Sequence, residues 1–244
     1  MSGTEALIEA AKKRAAYAAV DEFIRDGMKV GVGSGSTVVY VVERLVQRKN
    51  EEGLNITCIP TSFQSLNLIN DGGLNLGDLN RHAPLDVSID GADECDEKLN
   101  LIKGAALTLE KINVFNSKLF VVVADYRKES KVLGQKWKKG VPIEVLPLAW
   151  RAVSNYIVEH LHGKPILRMA VAKAGPVVTD NGNFILDVDF GEMADPLKVL
   201  TDVNRIPGVL ETGLFVDMVE KAFFGTADGG YVTVDRKGER KVFQ

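Results

Sequence analysis

Lys29-Val30-Gly31-Val32-Gly33-Ser34-Gly35-Ser36-Thr37, followed by Val41, Val42, Leu45 and Val46, is the stretch on which the fold turns. Lys29 to Val32 reads as a short buried strand, the glycine- and serine-rich residues as a tight turn, and the later apolar residues, at helical spacing, as an amphipathic helix. Strand, turn and helix in this order make a βα unit. Upstream, Leu7, Ile8, Ala11, Ala15, Ala19, Phe23 and Ile24 predict a helix over 5–24 that stops at Gly27. Downstream, a strand is expected at 56–59 and a helix over 62–70. The continuous apolar runs at 85–89 and 119–124 suit strands of a parallel sheet covered on both faces.

Beyond Pro142 the texture changes. A helix over 150–161 leads into a strand at 166–171. Strands at 177–179 and 184–190 then flank Asp180-Asn181-Gly182-Asn183, whose Asn-Gly pair signals a hairpin. A helix over 197–203 and a strand at 209–215 complete a small α+β unit. The expected architecture is α/β: a Rossmann-like parallel-sheet domain, residues 1–138 and 216–244, with an inserted smaller α+β domain at 139–215.

The 244 residues carry a net charge of -3, and no basic stripe outweighs the surrounding acids, so nucleic acid is not the expected partner. No segment has enough continuous apolar residues to span a bilayer, and the N-terminal residues lack the pattern of a secretory signal, so a cytoplasmic protein is expected. Cys58 and Cys95 have no CxxC spacing, and His82, His160 and His162 complete no metal-ligand pattern. No metal is expected.

Two motifs carry chemistry. In the first, glycines allow close backbone approach to an anion, the following helix N-terminus offers N–H groups, and Ser34, Ser36 and Thr37 add hydroxyls. This is a phosphate cradle without the Gly-Lys-Ser/Thr of a P-loop; Lys12 and Lys13 on the first helix could reach the same anion if that helix packs beside the turn, although taken alone each has the plainer reading of a solvated helix charge. In the second, Asp90-Gly91-Ala92-Asp93-Glu94 ends an apolar strand and is followed by Lys103-Gly104 and Glu110. An aldose–ketose isomerisation needs a base that moves a proton between neighbouring carbons and a group that stabilises the enediolate. Glu110 suits the base and Lys103 the oxyanion, while Asp90 and Asp93 suit sugar hydroxyls or ring opening. Taken singly, each acid has a plainer reading: a helix cap or loop salt bridge for the aspartates, a surface helix charge for Glu110. The cluster together with the cradle favours function.

The chain resembles A-type ribose-5-phosphate isomerases through Gly31 to Thr37, Ile59-Pro60-Thr61-Ser62, Ile89 to Glu94, Ala124-Asp125 with Lys128, Gly175 to Gly182, and Pro207-Gly208-Val209 through Gly213-Leu214-Phe215. The resemblance implies interconversion of D-ribose 5-phosphate and D-ribulose 5-phosphate through an enediolate, in the non-oxidative pentose phosphate pathway, with no metal or organic cofactor. It implies a ferredoxin-like fold for the inserted domain and assembly as a homodimer or dimer of dimers. It implies Glu110, Asp90 and Lys103 as catalytic residues, and Lys13, Ser34, Gly35, Ser36, Thr37, Asp90, Gly91, Ala92, Asp93, Lys103, Gly104 and Lys128 as substrate contacts. One departure stands out: Lys103-Gly104 runs directly into Ala105-Ala106-Leu107-Thr108, about two residues short of the family's glycine-rich loop. Residues left out of the written chain are the preferred explanation. A true deletion would instead shift Glu110 relative to Lys103 and give a catalytically impaired sugar-phosphate-binding protein. A nicotinamide-dependent dehydrogenase is the other rival, with an imperfect dinucleotide fingerprint.

Overall fold

A computed structural model describes residues 3–104 and 107–244. Helix α1 (Gly3–Phe23) leads to β1 (Lys29–Val32), α2 (Val38–Glu52), β2 (Thr57–Pro60), α3 (Phe63–Asp71), β3 (Asn75–Leu76), α4 (Leu79–His82) and β4 (Leu85–Asp90). Next come β5 (Glu94–Cys95), β6 (Leu101–Ile102), α5 (Leu107–Phe115) and β7 (Ser117–Asp125). The chain continues with β8 (Val141–Val145), α6 (Trp150–Leu161), β9 (Lys164–Leu167), β10 (Phe184–Asp189), α7 (Pro196–Asn204), β11 (Val209–Thr212) and β12 (Leu214–Phe215). It ends with β13 (Lys221–Gly225), β14 (Tyr231–Asp235) and β15 (Arg240–Phe243).

Two compact units result, one from residues 1–92, 109–129 and 218–244, the other from 93–108 and 130–217. The sequence reading put 93–108, 130–138 and 216–217 with the first unit. They fall in the second because β5 and β6 pair with each other and β6 with β12, a small three-stranded sheet that strand patterning over two-residue segments does not reveal.

The first unit is Rossmann-like. Its sheet has the order β15-β14-β13-β7-β4-β1-β2-β3, parallel from β13 through β3, with β14 and β15 added antiparallel. Val30, Val32, Val87, Ile89, Val121 and Val123 bury their side chains in one core with Ala15 and Ala19 of α1 and Val41 and Leu45 of α2. This is why those strands read as apolar runs: a sheet sandwiched by helices has no wet face. The alanine face of α1 lets the helix lie close to the sheet, since a Cβ at Gly225 would fall 2.5 Å from the Ala11 backbone. Successive strands move outward from β1 on one side and from β4 on the other, so the switch point lies between them. Ligands bind such sheets in the crevice at the strands' C-terminal ends there.

The second unit contains a four-stranded antiparallel sheet ordered β11-β8-β10-β9 with α6 and α7 in the crossovers, a βαββαβ ferredoxin-like topology. Ile143, Val145, Leu186 and Val188 meet Val153, Ile157 and Val203 in its core. Several expectations change here. The expected strand at 166–171 is seen as β9, which ends at Leu167, and 177–179 forms no strand. The Asn181-Gly182 turn itself is present, with Gly182 at φ 81° and Thr179 N donating to Asn183 O at 2.8 Å, but β10 pairs with β8 and β9 instead. The run 209–215 is split between two sheets at Gly213, whose N–H donates to Pro142 O at 2.7 Å and whose carbonyl accepts from Lys103 N at 2.8 Å. A Cβ there would lie 2.0 Å from the Lys103 carbonyl oxygen, so only glycine fits the crossing. Strands β8, β13, β14 and β15 were not anticipated at all.

Candidate active site

The glycine turn follows β1 and Asp90 ends β4, which puts both at the switch point. Their contact is close. Gly33 N donates to Ile89 O at 2.9 Å, and Asp90 Oδ1 accepts from Ser34 N at 3.0 Å and Gly91 N at 2.7 Å. A Cβ on Gly33 would lie 2.1 Å from Asp90 Cγ, so the missing side chain is what admits the carboxylate. Asp90 is 1% exposed and orders the turn. The turn is braced on its other side by Ile59-Pro60-Thr61-Ser62: Ser34 Oγ donates to Ser62 Oγ at 2.6 Å and lies 3.1 Å from Thr61 Oγ1, and Gly35 N donates to Gln64 Oε1 at 2.9 Å. Ser62 in turn caps α3 with a capping box. Thr37, at the N-cap of α2, makes no side-chain cap hydrogen bond, and the N–H groups of a helix N-terminus are suited to an anion.

Of the two lysines, Lys12 is the one hydrogen-bonded to the turn. Its buried Nζ donates to Ser36 Oγ at 3.2 Å and to Glu9 Oε1 at 2.7 Å. Lys13, named from sequence as the substrate contact, donates to Glu43 Oε1 at 2.6 Å and lies over the Tyr17 ring. Neighbouring helix positions point about 100° apart, and only the packing of α1 tells which one meets the turn. Lys128 is half-buried at the end of the short 3-10 turn Tyr126–Lys128 that follows β7. Asp125, just before it, accepts from Arg127 Nε at 2.6 Å and Nη2 at 3.0 Å. Burial raises its proton affinity, but the guanidinium outweighs this and holds the carboxyl below its usual range.

Glu110 has no exposed surface. The buried residues of α5 are Leu107, Glu110, Lys111, Asn113 and Val114, whereas Ile112 is 42% and Phe115 80% exposed. A helix that faces inward with a carboxylate and outward with phenylalanine is not arranged for packing alone. This removes the surface-charge reading of Glu110.

In the second unit, Lys103 is 3% exposed, its Nζ 5.6 Å from the centre of the Phe215 ring. Asp93 N donates to Ile102 O at 2.8 Å, and Asp93 and Gly104 share a cavity of about 480 Å3 with Trp137, Lys139, Arg168 and Asp187. Ala92 ends the first unit and Asp93 begins the second. The third acid of the block has a structural use: Glu94, fully buried, accepts from Gly134 N and Lys136 N, each at 2.6 Å, and so ties down the loop before β8. The shortening after Gly104 falls on Ala105 and Ala106, outside the described residues. Cys58 and Cys95 are buried free thiols, and burial pushes the Cys58 thiol up to about 12, far from reactivity at neutral pH.

Residues 57–229 match the family ribose 5-phosphate isomerase A (phosphoriboisomerase A). The chain belongs to that family. It is 52% identical over 223 residues to the ribose-5-phosphate isomerase of Homo sapiens, covering 91% of this chain and 72% of that one. The Dictyostelium discoideum ribose-5-phosphate isomerase is 53% identical over 223 residues, covering 89% and 94%. Among solved structures, ribose 5-phosphate isomerase A from Methanocaldococcus jannaschii superposes with a TM-score of 0.86 at 38% identity, over 92% of this chain and 98% of that one. A D-ribose-5-phosphate isomerase in complex with phospho-erythronic acid gives 0.88 at 41%, over 93% and 99%. The chain is thus an aldose–ketose isomerase of ribose 5-phosphate, and no helix among its described residues is long and apolar enough to cross a membrane.

Proposed function

We propose that this chain interconverts D-ribose 5-phosphate and D-ribulose 5-phosphate through an enediolate, with Glu110 as the base. The carboxylate takes the C2 proton of the open-chain aldose and returns it to C1, while the carbonyl oxygen gains a proton and the C2 hydroxyl loses one. The Lys103 ammonium stabilises the oxyanion that develops between the two transfers. Asp90 and Asp93 contact the sugar and take part in ring opening. Ser34, Gly35, Ser36 and Thr37, the N-terminus of α2, Lys12 and Lys128 hold the phosphate, with Gly91, Ala92 and Gly104 lining the substrate.

The observation that carries the assignment is the burial of Glu110 on a helix that leaves Ile112 and Phe115 exposed. The uncapped N-terminus of α2 and the bond from Lys12 to Ser36 support the phosphate site. The relative solved in complex with phospho-erythronic acid binds a phosphorylated sugar acid, in keeping with a sugar-phosphate substrate. Purified protein is expected to isomerise ribose 5-phosphate with a chelator present, and Glu110→Gln to remove most of that activity while leaving the circular dichroism spectrum unchanged. Near-full turnover in that variant would move the base to another residue. A cytoplasmic location in the pentose phosphate pathway, and assembly as a homodimer or dimer of dimers, belong to the same proposal. Light scattering on the purified protein tests the assembly.

A further inference from the structure

Glu144 is a carboxylate in the middle of β8, with no exposed surface. Such a position ordinarily takes an apolar residue, and a buried carboxylate persists there only if hydrogen bonds replace its lost water. Both oxygens are engaged. Oε1 accepts from Thr179 Oγ1 at 2.7 Å, Asn183 Nδ2 at 3.0 Å and Asn181 Nδ2 at 3.2 Å. Oε2 accepts from the Thr108 hydroxyl and from Thr108 N at 3.3 Å. Burial raises the proton affinity of Glu144, but these donors outweigh it and hold the carboxyl below its ordinary range.

The donors have two origins. Thr179, Asn181 and Asn183 belong to the tight turn before β10, so the Asn-Gly motif read from sequence as a hairpin serves to present polar groups to Glu144. Thr108 lies in the first turn of α5, two residues before Glu110. A second polar link of the same unit meets the other end of this segment. Arg168 grips Asp187 through Nη2 at 2.5 Å and Nε at 2.8 Å, and donates Nη1 to the Gly104 carbonyl at 3.1 Å, one residue after Lys103.

We infer that Glu144 and Arg168 are positioning residues that fix the two ends of the segment joining Lys103 to Glu110, and through it the placement of both groups on the reacting carbons. The inference rests on the roles proposed for Lys103 and Glu110. A base and an oxyanion donor must be held to within about half an ångström of productive geometry, and a loss of about 1 Å in placement costs on the order of 10²-fold in rate. A carboxylate with five donors and an arginine in a two-point ion pair are stiff anchors, because each bond restrains the directions the others leave open.

The test is a double-mutant cycle on the full chain with Glu144→Gln and Thr108→Val, with kcat, KM and thermal midpoint measured for each variant. Glu144→Gln is expected to lower kcat by about 10- to 100-fold with a smaller change in KM, and the double variant to have no lower kcat than Glu144→Gln alone. Arg168→Ala is expected to lower kcat in the same way. A purely structural role would lower the midpoint while the folded protein kept its kcat. Wild-type kcat in folded Glu144→Gln, or multiplicative losses in the double variant, would overturn the inference. Should Glu144→Gln not fold, Thr108→Val at its half-buried site carries the test, and full kcat there overturns it. An inactive Glu110→Gln beside a fully active Glu144→Gln refutes the anchoring and leaves the base in place. An active Glu110→Gln beside a non-additive cycle moves the base and keeps the anchoring at Thr108.

Discussion

Gly33→Ala is the sharpest perturbation of the turn, because its cost can be worked from the coordinates. The added methyl would lie 2.1 Å from Asp90 Cγ, 2.2 Å from Oδ1 and 2.5 Å from Cβ, well inside ordinary contact at all three. Something must move. If the Asp90 carboxylate rotates away, it gives up the bonds from Ser34 N and Gly91 N, each worth about 1.5–3 kcal/mol to a charged acceptor. If the turn retreats instead, the Gly33 N to Ile89 O bond is strained and the overpacking costs about 1–3 kcal/mol. The loss therefore lies at about 1–6 kcal/mol, against the roughly 5–15 kcal/mol that stabilises a domain. The thermal midpoint should fall by on the order of 10 °C, and KM for ribose 5-phosphate should rise as the turn is displaced. Gly91→Ala is the steric control: its Cβ would meet Ser34 O at 3.5 Å, an ordinary contact, so its midpoint should shift little. Melting curves by circular dichroism and a coupled isomerase assay measure both. A Gly33→Ala protein with the parent's midpoint and KM would refute the reasoning.

Three further outcomes are expected. Glu110→Gln should lose about 10²- to 10⁴-fold in kcat, the usual effect of removing a positioned general base, as read by the same assay. Lys12→Met should raise KM for ribose 5-phosphate far more than Lys13→Met, because Lys12 bonds the turn while Lys13 bonds Glu43; equal effects would return the phosphate contact to Lys13. Because the Glu144 carboxyl is held below its ordinary range, its ionised form stabilises the folded chain above the unfolded-state value, near about pH 4.3, and that contribution fades as pH falls through the lower folded-state value. Urea denaturation of wild type and Glu144→Gln should therefore differ most at neutral pH and converge in acid; a gap that widens on acidification would contradict the assignment.

The parallel core of the first unit was legible because strands covered on both faces leave an unbroken apolar signature, as at Val30, Val87 and Val121. Strand β8 was not, since Val141-Pro142-Ile143-Glu144-Val145 places a proline and a carboxylate inside a fully buried strand. What makes Glu144 tolerable there is a set of donors from 35 to 39 residues away in the chain, invisible to any local pattern. The edge strand β15 carries little apolar periodicity because it is exposed throughout. The acidic block was recognisable, but its division of labour was not: Glu94 looks like its neighbours in sequence and serves a loop. Choosing between Lys12 and Lys13 required knowing which face of α1 meets the sheet.

The adjacency of β1 and β4 has a mechanical corollary. The groups assigned to the phosphate end and the sugar end of the ligand sit on neighbouring parallel strands, whose separation of about 4.8 Å is set by peptide geometry and not by rotamers. Under the proposed assignment, backbone pairing acts as a ruler between the two ends of the bound molecule. Altering core side chains beneath it, as in Ile89→Val, would soften the scaffold without changing that length, whereas slipping the register by a single residue would turn Asp90 to the opposite face and leave the ruler without its second mark.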